Sequence, residues 1–399
     1  MYVKRLLRGA LEHALAHFPA VLVTGPRQSG KTTFLRHEGG AGTGYVSLDD
    51  PLERELARDD PNAFLDRFGE RRVILDEIQN CPELLPHLKM RVDTRPRRGA
   101  RYLLTGSQQL ALGRDVAEHL VGRIAILELL PFSLLEHAAR GRDPLAATIW
   151  SSGFPAPALA PATRDLWLRS YLQTYVERDI RRLRNITDLR SFQAFVALCA
   201  ARHAQELNLA ELARELGISQ PTARAWLSVL EAAHLVRLVP PYFRNLGKRV
   251  IKAPKLFFLD SGLVSELTRQ PAPEAALAGA MGGALFEGFI ATEAMKAYAA
   301  AGLRPDIFFW RSHGGPEVDL VLGVRGTLVP VEVKLTASPT ARHGAALTRF
   351  RELVGEEAAA HGMLVCRVPK ARELPGGHVA LPWREFPSWL AASLATRTR

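Results

Sequence analysis

The chain has 399 residues, 47% of them hydrophobic, enough for two or three domains with substantial cores. Three dispersed cysteines, Cys81, Cys199 and Cys366, argue against a zinc cluster or a disulfide framework, and no apolar run is long enough to span a bilayer. The formal net charge of +11 favours an anionic partner, nucleic acid first. Only nine of the 52 basic residues are lysine, so a GC-rich coding bias toward arginine accounts for the charge equally well. The amino terminus has basic residues but no apolar stretch of signal-peptide type, and the expected compartment is the reducing cytoplasm, with no membrane partner.

The apolar run Val21–Val23 predicts a buried strand that feeds into Gly25-Pro26-Arg27-Gln28-Ser29-Gly30-Lys31-Thr32-Thr33. The spacing is that of a Walker A phosphate loop. Gly25 and Gly30 let the backbone curl so that its N–H groups face phosphate oxygens. Lys31 reaches the β- and γ-phosphates and Thr32 holds Mg²⁺. A helix begins near Thr33, and its N-terminus favours the anion. Val46–Leu48 predicts another strand, with Asp49 and Asp50 at the cleft. The run Val73-Ile-Leu-Asp76-Glu77 has the form of a Walker B strand, with Asp76 on the metal and Glu77 polarising the attacking water. Tyr102–Leu104 predicts a further strand that ends beside it, and Ser107 or Gln108 is the candidate sensor of the γ-phosphate. Arg123 is either an arginine finger or half of a structural ion pair. Strands alternating with helices imply a doubly wound parallel sheet with its site at the strand carboxyl ends.

Pro155–Pro161 reads as a linker, and Leu166–Leu183 as a helix. Arg178, Arg181, Arg182 and Arg184 fall close together there, and form a solvated face or reach a neighbouring subunit's nucleotide. Leu209–Leu216, a turn at Gly217-Ile-Ser219-Gln220, and Pro221–Leu230 follow the helix-turn-helix pattern, with Ser219 or Gln220 as cap. A strand and a hairpin over Tyr242–Leu259 complete a winged helix. On the nucleic-acid reading, Gln220, Thr222 and Arg224 sit near a groove and Arg244, Lys248, Arg249, Lys252 and Lys255 meet phosphates. The other reading is a module used only for packing. Beyond Pro271-Ala-Pro273, a helix carrying Glu287 precedes strands at Phe308–Trp310, Pro316–Leu322 and Leu328–Lys334. Glu332 and Lys334 alternate onto one face. Glu287, then Asp319, then Glu332-x-Lys334 is the order of a restriction-endonuclease-like fold, in which the carboxylates bind Mg²⁺ and Lys334 orients water. His13 and His17 share a helix face without a third ligand, and Trp226, Trp310 and Cys199 read as core.

These motifs resemble the AAA-type P-loop ATPases of bacteria and archaea that carry a C-terminal domain of unknown function. The resemblance rests on the phosphate loop, Leu75-Asp-Glu-Ile-Gln79, Thr105-Gly-Ser-Gln108, Gly122-Arg123, Tyr171–Asp179 and the carboxy-terminal motifs, and so spans nearly the whole chain. It implies ATP as nucleotide more firmly than any pathway. The expected architecture is α/β: an AAA-type ATPase core over 1–160, a helical and winged-helix domain over 161–272, and a restriction-endonuclease-like domain over 273–399. The expected function is ATP hydrolysis with Mg²⁺, acting on DNA as a homo-oligomer, a hexameric ring being one form. The rivals are a nucleotide-gated switch with a protein partner and an ATP-controlled, Mg²⁺-dependent DNA nuclease.

Overall fold

The computed structural model describes residues 2–94, 99–107, 119–137, 144–174, 188–243, 253–312 and 315–395. The chain forms two compact units. The first comprises Met1–Pro131, Ala232–His234 and Ala299–Leu303; the second holds the remainder, so most of 161–272 and of 273–399 fall together.

In the first unit, helix α1 (Arg8–His17) precedes strand β1 (Ala20–Thr24), helix α2 (Lys31–Glu38) and strand β2 (Gly44–Ser47). Helices α3 (Pro51–Asp59) and α4 (Pro61–Asp66), strand β3 (Val73–Asp76), helix α5 (Leu84–Thr94) and strands β4 (Tyr102–Gly106) and β5 (Ile124–Glu128) follow. The strands form one sheet in the order β2-β3-β4-β1-β5, every pairing parallel. The apolar runs are continuous because both faces of this sheet are covered. Leu22, Leu75 and Leu104 join α4 and α5 on one side, while Val21, Val23, Ile74 and Leu103 join α1 and α2 on the other. Asp50 and Asp60 cap α3 and α4, each followed by proline in the first turn, where its missing N–H costs nothing. Asp49 and Asp50, expected to line the nucleotide cleft, follow the end of β2; Asp50 caps α3 and Asp49 accepts from Asn80 Nδ2 at 2.7 Å.

The second unit begins with helices α6 (Leu145–Trp150), α7 (Pro155–Leu159), α8 (Arg164–Tyr171) and α9 (Leu189–Ala201). Thus Pro155–Pro161, expected as a linker, is mostly the helix α7, with Pro155 at its first position. The two-residue strand β6 (Gln205–Glu206) precedes α10 (Leu209–Leu216) and α11 (Gln220–Ala232). Gly217 ends α10 at φ 65°, a left-handed conformation that suits glycine, and Ser219 Oγ accepts from Thr222 N at 3.1 Å to cap α11. Strands β7 (Val236–Val239) and β8 (Lys255–Phe258) pair antiparallel, with β6 on the other edge of β8. The hairpin therefore starts at Val236, before the expected Tyr242.

Helices α12 (Ser261–Leu267) and α13 (Pro273–Ala278) lead to α14 (Gly282–Ala300). A six-stranded sheet then forms from β9 (Ile307–Arg311), β10 (Glu317–Val324), β11 (Thr327–Val333), β12 (Met363–Cys366), β13 (Arg372–Leu374) and β14 (His378–Pro382). Its order is β13-β14-β12-β11-β10-β9. Strands β9–β11 form an antiparallel meander, while β12 is parallel to β11 and β14. Helices α15 (Ala345–Val354) and α16 (Phe386–Ala395) complete the unit. Helix α14 comes close to His203, which is fully buried, and a Cβ on Gly288 would lie 1.8 Å from its ring Nε2. The ring cannot yield readily, because its Nδ1 accepts the Phe258 N–H at 3.1 Å. Burial pushes its pKa down to about 3, so it stays neutral. Gly288→Ala is expected to lower the melting temperature through overpacking worth about 1–3 kcal/mol, checked by thermal denaturation beside the wild type.

Candidate active site

Strand β1 delivers the phosphate loop and α2 leaves it. Gly25 has φ 141°, and a Cβ there would lie 2.3 Å from the Leu129 carbonyl oxygen, so only glycine fits. Gln28 (φ 64°) and Gly30 (φ 92°) are left-handed, and α2 starts at Lys31, two residues before the expected Thr33. The Lys31 ammonium is buried and donates to the carbonyls of Gly25 (3.0 Å) and Pro26 (2.9 Å). Burial pulls its pKa down to about 8, against the opposing pull of Glu77 and Asp76. Ser29 is fully buried and its Oγ has no hydrogen-bond partner among the described residues. Arg5, which the sequence does not flag, donates to the carbonyls of Ser29 (3.0 Å) and Leu130 (2.5 Å) and braces the loop from behind.

Asp76 ends β3 beside this loop. Its Oδ1 accepts from Thr32 Oγ1 (2.7 Å) and Thr105 Oγ1 (2.6 Å), and its Oδ2 from the Tyr45 hydroxyl (3.1 Å). The expected pair of Thr32 and Asp76 is thus in direct contact, a donor set of hydroxyl and carboxylate that suits Mg²⁺. Glu77 has φ 55°, uncommon for a non-glycine residue and worth a functional explanation. Its N–H donates to Thr105 Oγ1 at 2.9 Å, and its carboxylate accepts from Gln79 Nε2 and from Ser107 Oγ at 3.3 Å. Of the two sensor candidates, Ser107 contacts Glu77, and Gln108 lies outside the described residues. Thr105 is the residue the sequence reading missed: one hydroxyl bonds the Asp76 carboxylate and the Glu77 backbone. Its signal was its place directly after the apolar run of β4. Of the remaining loop residues, Pro26 is buried, Arg27 and Thr32 are half-buried, and Gln28 and Thr33 are exposed.

Arg123 donates to both carboxylate oxygens of Asp93, at 2.5 and 3.0 Å, and to the Val121 carbonyl at 3.0 Å. Of its two sequence readings, the ion pair is the one present within the chain. Arg178, Arg181, Arg182 and Arg184 lie outside the described residues, as do Arg244, Lys248, Arg249 and Lys252. On α11, Gln220 and Arg224 are exposed and Thr222 is half-buried, its hydroxyl 2.8 Å from Ser219 Oγ. Trp226, Trp310 and Cys199 are buried as expected.

The carboxylates of the second unit are arranged differently. Lys255, expected on a solvent-facing wing, is 3% exposed. Its ammonium contacts Glu287 at 2.8 Å and Glu317 at 2.5 Å, and Asp319 adds to the attraction. Burial alone would neutralise Lys255, but these three carboxylates outweigh it and hold it charged. Lys334 contacts Glu332 at 2.6 Å and Asp319 at 3.2 Å, so Glu332 and Lys334 do share a face. Glu332 Oε2 is buried without a hydrogen-bond partner among the described residues. Burial, then repulsion from Asp319, pushes Glu287 up to about 8 and Glu332 up to about 7. Among the described residues no group of three or more His, Cys, Asp or Glu side chains could hold a metal ion. Of the residues expected as a second Mg²⁺ site, Asp319 and Glu332 share Lys334, while Glu287 pairs with Lys255.

The parallel sheet, the phosphate loop and the acid pair at the end of β3 define an AAA-type P-loop domain. Residues 17–138 match the family model described as AAA domain. Residues 142–274 match Domain of unknown function (DUF8612), and residues 282–386 match Domain of unknown function (DUF4143). The uncharacterized proteins Rv2008c of Mycobacterium tuberculosis and Mb2031c of Mycobacterium bovis are each 32% identical over 335 residues, covering 83% of this chain and 73% of the relative. The chain belongs to the family of these two mycobacterial proteins. Among solved structures it is similar to the Walker-type ATPase PABY2304 of Pyrococcus abyssi, with 15% identity over 65% of this chain and 94% of that one and a TM-score of 0.45. It is also similar to a single-residue variant of Thermotoga maritima RuvB, with 21% identity over 59% of this chain and 86% of that one and a TM-score of 0.30. Among the described residues no helix is long and apolar enough to cross a membrane.

Thr105→Val preserves the shape of the side chain but removes the hydroxyl's bonds to the Asp76 carboxylate and the Glu77 N–H. It is expected to lower the steady-state rate of ATP hydrolysis by about 10–100-fold, the usual loss when a residue that orients metal ligands is removed. Nucleotide affinity, read by fluorescence titration, should change far less.

Proposed function

We propose that this protein is a Mg²⁺-dependent ATPase whose AAA core works on DNA as an oligomer. The observation that carries the reading is the grouping of Thr32, Asp76, Thr105 and Glu77 at the mouth of the phosphate loop. Lys31 would exchange its two carbonyl partners for phosphate oxygens, with backbone N–H groups of the loop and the N-terminus of α2 sharing the charge. Thr32 and Asp76 would hold Mg²⁺, which when bound neutralises charge on the phosphate oxygens. Glu77 would align a water on the γ-phosphorus and take its proton as the bond to ADP breaks, while Ser107 and Gln79 keep its carboxylate aimed. Within the chain Arg123 pairs with Asp93; in an oligomer, Arg123 or an arginine near Arg181 would complete a neighbouring copy's site.

DNA as partner rests on the +11 charge and on the helix-turn-helix with its hairpin, which we read as a winged helix. Gln220, Thr222 and Arg224 on α11 would approach the bases, and Arg244, Lys248, Arg249 and Lys252 the phosphates. The C-terminal sheet is read as a restriction-endonuclease-like scaffold without its metal. The decisive measurement is steady-state ATP hydrolysis with and without single-stranded, duplex and branched DNA. Stimulation by one form is the expected result; equal rates with all of them would favour the nucleotide-gated switch with a protein partner. Glu77→Gln should retain nucleotide binding and lose turnover, and wild-type turnover in that variant would remove Glu77 from its role. Incubated with Mg²⁺, the wild type should leave DNA uncut.

A further inference from the structure

The first unit holds a cavity of about 430 Å³ that no sequence motif announces. It lies where α2 ends at Gly39, where Arg72 leads into β3 and where Arg101 leads into β4. These are the amino ends of the parallel strands, whereas Asp76 and Thr105 stand at the carboxyl ends. A strand rises about 3.3 Å per residue, which puts Arg72 about 13 Å along the chain direction from Asp76. The cavity is therefore separate from the phosphate loop. Its volume falls in the range of pockets that enclose small ligands, about 300–1,000 Å³.

The charge around it is one-sided. Among the described residues, Arg71, Arg72 and Arg101 line it with one carboxylate, that of Glu70. Arg72 is held by carbonyls: its Nε donates to Ala100 O at 2.8 Å and its Nη1 to Gly39 O at 2.7 Å. Two such bonds fix the plane of the guanidinium, and neutral carbonyls leave its charge uncompensated. The Arg101 side chain is 11% exposed, donates to the Gly69 carbonyl and stands 3.7 Å from Glu70, beyond a hydrogen bond. Its Nε is buried without a hydrogen-bond partner among the described residues.

The rest of the lining includes bare main chain. Helix α2 runs out into Gly39-Gly40-Ala41-Gly42, in which Gly40 (φ 94°) and Gly42 (φ 76°) are left-handed. A Cβ on Gly42 would meet nothing within 4 Å, so conformation and not crowding requires glycine there. Among the described residues the N–H groups of Gly40, Ala41 and Gly42 donate to no backbone carbonyl. Like charges held around a concavity repel one another and attract an anion. Guanidinium forks and the N–H groups of left-handed turns are the two recurrent ligands of phosphate oxygens. The excess of two positive charges suits a phosphate group, which carries about two negative charges at neutral pH, better than a single carboxylate.

We propose that this cavity binds the phosphate group of a small molecule, as a second anion site independent of the phosphate loop. The test is titration calorimetry of the full chain with inorganic phosphate and, separately, with glycerol 3-phosphate, in the Lys31→Ala variant so that the phosphate loop does not contribute. Saturable binding is expected. Arg101→Gln should weaken it about 10-fold or more, the usual loss when one charged hydrogen bond is removed. Ala41→Glu removes no arginine and places a tethered carboxylate in the cavity; it should weaken binding at least as much, and it decides the matter should Arg101→Gln fail to fold. Tighter binding of glycerol 3-phosphate than of phosphate would identify an organic phosphate as the ligand; equal binding would identify the free ion. Unchanged affinity in both cavity variants would overturn the proposal. So would wild-type binding that Lys31→Ala abolishes without loss of melting temperature, since both anions would then belong to the phosphate loop, and so would the absence of saturable binding in the wild type.

Discussion

The carboxylate of Asp76 is the point on which the first unit is organised. It is 6% exposed and ends the third strand of an all-parallel sheet, so its charge must be met by fixed dipoles rather than water. Three hydroxyls meet it, from Tyr45 on β2, Thr32 on α2 and Thr105 on β4. Strands β2 and β4 are the two neighbours of β3, and parallel register brings their carboxyl ends level with Asp76. One buried charge therefore ties the helix after the phosphate loop to three adjacent strands. The same hydroxyl of Thr105 that meets Asp76 also fixes the backbone of Glu77, so the position of the second acid depends on the satisfaction of the first.

The second unit meets its buried carboxylates with ammonium groups. Lys255 is clamped by Glu287 and Glu317, and Lys296 by Glu293, whose other oxygen accepts from Leu134 N at 2.9 Å. Lys296 also donates to the Phe132 carbonyl at 3.0 Å, which fastens the start of that unit to α14. The chemical consequence separates the two acidic clusters. A hydroxyl that donates to a carboxylate can turn and offer its oxygen to a cation, so Thr32 and Asp76 can become ligands together. An ammonium group carries its own charge and must be expelled before a cation can enter, which in a buried pair strands a carboxylate at a cost of about 3–5 kcal/mol. Two acidic clusters that look alike as sequence thus differ in how their charge is met.

The strand–loop–helix of the phosphate site and the apolar strands ending in Asp76 and Ser107 are legible because each is local. The period of the apolar residues, the glycine spacing and the terminal acid all lie within a dozen residues. The helix-turn-helix is legible for the same reason, with a glycine stop and a serine cap in the turn itself. Asp50 and Pro155 each carry a local signal that has two uses, and at Pro155 the structure takes the helical one. A strand-ending acid can line a cleft or cap the next helix, and a proline-rich stretch can be a linker or the first turn of a helix.

What the sequence by itself determined is the phosphate loop, the acid pair that faces it and the parallel α/β core that carries them, since backbone conformation and strand burial are dictated by near neighbours. Tertiary structure alone decided the fate of single polar side chains whose partners are remote in the chain. Lys255, counted as a surface cation, is buried 32 residues from Glu287 in sequence; Thr105 binds an acid 29 residues away; and His234 reaches Thr24 across 210 residues. Most buried polar groups find a partner wherever the fold brings one within about 3 Å, and no local pattern encodes which one that is.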